Sequence, residues 1–189
     1  YFIAGFESMG IEVEPLMPIL DQLESNTNIA LENINKILKN CRKVGIRPIH
    51  IRIQSLLSDA KDTGVLHSSA GMYYPPRCTA SEFCDEAMPL ENEIVLNKTC
   101  SGIVVGTPID RILRNLGIKN VVVTGFYTDQ CVSTSIRDLA DLGYKVDMIE
   151  DAMAAMSQER HDKALQSIKY IYANCEKTQE LIERLEQLN

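Results

Sequence analysis

Apolar residues recur along this chain in two rhythms, one with the spacing of a helix and one with the runs and alternations of a strand. Tyr1 to Ile3 is an apolar opening, and Gly5 to Pro18 reads as a loop. Ile29, Ile34, Ile37, Leu38 and Cys41 then fall at helical spacing up to Gly45, which predicts a helix capped by Ser25 or Asn26. Ile46 to Ile53 alternates, with Ile49, Ile51 and Ile53 on one side, and Pro48 places this strand's start or an edge. Residues 54–92 carry Gly64, Gly71, Pro75, Pro76 and Pro89 without a period. A segment of that kind is either a pocket wall or lid, or a surface excursion.

The rhythm resumes at Glu93–Asn97, a short strand ending at Lys98. A helix is predicted from Pro108, with Thr107 as N-cap, through Ile109, Ile112, Leu113 and Leu116 to Gly117. Val121–Thr124 is a β-branched run fit for a strand buried on both faces. Gly125 ends it, and Thr128 or Asp129 is placed to cap a helix from Gln130 to Leu142. Tyr144–Ile149 predicts a further strand ending in Glu150-Asp151, and Ser157 caps a helix through Ala164, Leu165 and Ile168. Tyr170–Ala173 reads as a short strand, and Thr178 caps a last amphipathic helix.

Strands and helices alternate, so the expected fold is α/β, Rossmann-like: an open, mostly parallel sheet of about six strands with helices on both faces. Ligands of such sheets bind at the carboxyl ends of strands, where this reading puts Lys98, Tyr127 to Cys131, and Asp151. The length of 189 residues suits a single domain, 1–189, and 45% hydrophobic residues suit a packed core. A net charge of −7 argues against a nucleic-acid backbone as partner. No apolar run is long enough to span a membrane. The six cysteines are scattered and read as reduced, which points to the cytoplasm. The three histidines show no metal-binding spacing and glycine-rich phosphate loops are absent, so neither metal nor cofactor is expected.

Cys131 is the residue with the most chemical promise. A thiol in the first turn after a strand meets unpaired backbone N–H groups and the positive end of a helix dipole. Both favour the thiolate, and the same N–H groups suit an oxyanion. The other reading of Cys131 is a buried structural cysteine.

Several segments sharpen this. The run KTCSGIVVGTPIDRILRNLGI (98–118), then VVVTGFYTDQCV (121–132), RDLADLGYKV (137–146) and EDA (150–152), resembles the isochorismatase-like cysteine hydrolases. That superfamily includes nicotinamidases, N-carbamoylsarcosine amidase, ureidoacrylate amidases and biuret hydrolases. The resemblance implies a Cys–Lys–Asp triad, with Cys131 as nucleophile and Lys98 as its electrostatic partner. It implies a cis peptide at Phe126–Tyr127, an oxyanion hole from the N–H groups of Tyr127 and Cys131, and substrate contacts from Phe2 and Tyr127. A carboxylate would take the thiol proton, the thiolate attack an amide carbonyl, and water cleave the thioester.

The family's aspartate ends a first strand just before an aromatic pair that Tyr1-Phe2 resembles. That strand is therefore expected upstream of residue 1. Asp21, Asp129 and Asp151 do not match the pattern. The region IRIQSLLSDA lacks the nicotinamidases' metal site, and the presence of Cys131 argues against the vinyl-ether hydrolysis of isochorismatases proper. The expected function is hydrolysis of a C–N bond in a small linear amide, ureide or carbamoyl compound. The alternative is an inactive member serving as a binding or scaffold protein. The expected partners are a small-molecule substrate and further copies of the chain, as a dimer or tetramer.

Overall fold

A computed structural model describes Glu12 and residues 14–188. A 3-10 turn at Glu14–Leu16 leads into α1, Met17–Lys43. Helix α1 starts well before Ser25 and Asn26, so these lie inside it and cap nothing. Leu20, Leu23, Ala30, Ile34, Ile37 and Cys41 lie along its buried face. The residues from Met17 that were read as loop are drawn into the helix because Leu20 and Leu23 extend that face by two turns. Strand β1 is Ile49–Ile53, with Pro48 just before it. Its buried side chain is His50, not the isoleucines. His50 meets Glu93 at 2.8 Å, and Glu93 also accepts two hydrogen bonds from Arg42.

Residues 54–93 are mostly irregular, with a short helix α2 at Val65–Ser69 and two 3-10 turns. Strand β2 is Ile94–Lys98, α3 is Ile103–Gly106 and α4 is Ile109–Asn115. Strand β3, Asn120–Phe126, continues through Gly125 instead of ending there, with φ +119 at that glycine. After the irregular turn discussed below come α5, Ser133–Asp141, and β4, Lys145–Ala154. The remaining elements are α6, Gln158–Ile168, then β5, Asn174–Glu176, and α7, Thr178–Glu186. The last strand falls after Tyr170–Ala173, because Tyr170 takes a left-handed turn (φ 65) that no strand accommodates. Helix α7 is capped from Lys177, whose N–H donates to Glu180, so Thr178 is its first residue and not its cap.

All strand pairs are parallel, β1 with β2, and β3 with β4 and β5. The fold is thus α/β as expected, with five strands among the described residues rather than six. They form two groups, β1-β2 and β3-β4-β5. Among the described residues β2 and β3 exchange no backbone hydrogen bonds and each is paired on one side only. Helices cover both faces. Met148 and Ile149 are successive residues of β4, so they point to opposite faces, and both are fully buried. Met148 joins the core under α4, α5 and α6, and Ile149 the core under α1 and α7. No described helix is long and apolar enough to cross a membrane.

Candidate functional site

Two strand ends build the site. Lys98 is the last residue of β2 and is buried. Cys131 lies five residues beyond the end of β3 and is half-buried. Between β3 and α5 the chain makes a π-type turn, Thr128–Val132, wider than the α-helical turn that apolar spacing predicts. The Tyr127 carbonyl closes it by accepting from the N–H groups of Gln130 and Val132, at 3.0 and 3.2 Å. Such one-turn widenings cluster at functional sites. Ser135 ties the turn down: its hydroxyl donates to the Cys131 carbonyl at 2.6 Å and accepts from the Ile103 N–H.

The Lys98 ammonium donates to Cys131 Sγ at 3.3 Å and to the Cys100 carbonyl at 2.8 Å. The Ser101 hydroxyl also reaches Sγ, at 3.7 Å. The ammonium and the sulfur thus face one another in a site where charge is poorly screened. The Phe126–Tyr127 peptide is cis. Burial, then the neighbouring Tyr74 and Asp129, push the Tyr127 hydroxyl up to about 12, so it stays protonated at neutral pH.

Thr128 and Asp129 do not cap a helix. The buried Thr128 hydroxyl pairs with His161 Nδ1 at 2.8 Å, and Asp129 accepts from Arg160 Nε at 2.6 Å. Asp151 is not at a strand end, because β4 runs on to Ala154. Its carboxylate is taken by the N–H and hydroxyl of Thr178. Phe2 lies outside the described residues. No described carboxylate is hydrogen-bonded to Cys131 or Lys98, and no cluster of three or more metal-ligating side chains occurs among the described residues. Three residues near the pair carried no periodic signal: Ser101, Tyr74 and His67. Only Ser101 stood in a recognisable motif, two residues ahead of α3 in the KTCSG run.

The irregular segment is stitched over these strand ends. Gln54 N–H donates to the Lys98 carbonyl, Ser55 N–H to the Tyr74 carbonyl, and Gly64 N–H to the Thr99 carbonyl. At Gly64 an added Cβ would sit 2.6 Å from the Thr99 carbonyl oxygen, so only glycine allows this approach.

Comparison with known proteins gives the family and the fold. A family model described as the isochorismatase domain matches residues 20–180. The uncharacterized isochorismatase family protein YrdC of Bacillus subtilis (strain 168) is 32% identical over 132 residues, 70% of this chain and 64% of that protein. The ureidoacrylate amidohydrolase RutB of Klebsiella pneumoniae is 41% identical over 71 residues, 38% of this chain and 30% of that protein. The chain thus matches less than two thirds of the length of these two relatives. A crystal structure of a cysteine hydrolase from Pseudomonas syringae has the same fold, with a TM-score of 0.80 at 24% identity over 87% of this chain and 83% of that one.

Proposed function

The chain belongs to the isochorismatase family, and from that premise we propose that it is a cysteine hydrolase cleaving a C–N bond in a small linear amide, ureide or carbamoyl compound. The observation that carries the reading is the buried Lys98 ammonium, at the end of β2, 3.3 Å from Sγ of Cys131 in the turn after β3. A lysine used only for structure would pair with a carboxylate or reach solvent. Among the described residues this one donates to a thiol and a carbonyl.

In this reading the thiolate of Cys131 attacks the carbonyl carbon. The oxyanion is received by the N–H groups of Tyr127 and Cys131, and the nitrogen leaves protonated. Water then hydrolyses the thioester and frees the thiol. The proton carrier in this reading is a carboxylate, and among the described residues none is hydrogen-bonded to Cys131 or Lys98. The relation to a ureidoacrylate amidohydrolase favours ureides within the substrate class.

The test is ammonia release from a panel of ureides, carbamoyl amino acids and carboxamides, with Cys131→Ser as control. Turnover of at least one compound that the variant loses supports the proposal. Turnover that survives in the variant refutes it. Reactivity of Cys131 without turnover of any compound would favour an inactive, ligand-binding member.

A further inference from the structure

Two buried side-chain polar atoms lack a hydrogen-bond partner among the described residues: Nδ1 of His67 and Oδ1 of Asp129. Asp129 is two positions before Cys131, in the same π turn. His67 is carried on α2, which the Gly64–Thr99 hydrogen bond pins to the residue following Lys98.

His67 is only 4% exposed. Burial, then the positive charge of Lys98, lower its pKa, against a smaller opposing pull from the Thr99 backbone. Its imidazole is therefore neutral at pH 7, with one ring N–H and one lone pair. Nδ1 is the ring nitrogen without a partner, and the lone pair is assigned to it, with the ring proton on Nε2. On the other side, Oδ2 of Asp129 is satisfied by Arg160 while Oδ1 has nothing. Both orphan atoms are thus acceptors. Buried acceptors without donors are rare, and at a binding site the ligand supplies the donor.

We propose that His67 is a specificity-determining residue whose Nδ1 accepts a hydrogen bond from an N–H of the amide or ureide held at Cys131. The inference rests on the reading of Cys131 as nucleophile and adds what the pocket selects, an N–H donor on the side of Lys98. A substrate with its nitrogens fully alkylated leaves Nδ1 unpaired and is rejected.

Two alkylating probes separate these ideas, iodoacetamide and its N,N-dimethyl analogue, which has the same leaving group and no N–H. The reading is the ratio of their rates at Cys131, divided by the same ratio for free cysteine. In the wild-type protein this normalised preference should be about tenfold, the worth of one hydrogen bond between neutral groups. In His67→Phe it should fall to about one, with the dimethyl probe reacting at its wild-type rate. Should that variant lack a cooperative melt, His67→Ala is read in the same way. A wild-type preference near one, or an undiminished preference in the folded variant, overturns the role of His67. If neither probe reaches Cys131 ahead of the other cysteines in the wild type, the nucleophile reading itself has failed.

Discussion

At Cys131 a single side chain meets a buried cation, a hydroxyl and a turn that opens its backbone, and each contact traces to a different segment. Lys98 and Ser101 come from the end of β2, and the turn from the end of β3. Cys131→Ser keeps the shape and loses the nucleophile. Its kcat should drop below about a hundredth of wild type with an unchanged melting curve, measured on whichever amide or ureide the protein turns over. Lys98→Ala removes the cation 3.3 Å from Sγ, and under the proposed role of Lys98 alkylation of Cys131 at neutral pH should slow about tenfold or more. An unchanged alkylation rate would take Lys98 out of that role. These residues were legible in the sequence because they sit in short motifs beside strand ends. His67 and Tyr74 were not, since they lie in a segment with no period, and what places them is backbone hydrogen bonding to Lys98, Thr99 and Ser55.

Elements whose apolar face is decided by local spacing were legible; those decided by distant partners were not. Helix α6 has Ser157 as its cap, accepting from Arg160 N–H at 3.3 Å, as its sequence predicts. Ser157→Ala should cost about 1 kcal/mol, read by denaturant titration. Strand β4 instead runs past Glu150-Asp151, because Asp151 is satisfied by Thr178 and Asn33 rather than by solvent. The start of β1 shows the same dependence: its alternating isoleucines suggested the buried side, yet His50 is buried because Glu93 receives it.

Glu93 joins β1 to α1. Hydrogen bonds from Arg42, chiefly, lower its pKa from 4.5 to about 2. A lowered carboxylate pKa stabilises the fold fully above the ordinary value and loses that contribution as the pH falls through the folded one. Stability should therefore decline between about pH 5 and pH 2. Glu93→Gln should flatten that decline while lowering stability at pH 7 by about 1–3 kcal/mol. An equally steep acid transition in the variant would show that Glu93 does not set it.

At the scale of the whole molecule, the described residues form two parallel strand groups held against one another by a shared core and by the Lys98–Cys131 contact. The α/β class follows from alternating rhythms alone. The strand order does not, because it depends on pairings far apart in sequence. Large apolar side chains remain exposed around the site, Val65, Leu66 and Val105 among them. Association between copies would bury them, and we propose a dimer or tetramer at micromolar concentration. Light scattering that returns a monomer would contradict this.

The account turns on Cys131 being activated rather than merely present, and peptide mapping after brief, substoichiometric iodoacetamide treatment tests that most directly. Of the six cysteines Cys84 is the exposed one, while Cys131 is half-buried. Accessibility alone would put the label on Cys84. Activation by Lys98 predicts it on Cys131 first, with that preference lost in Lys98→Ala. Label appearing on Cys84 ahead of Cys131 in the folded wild-type protein would contradict the account.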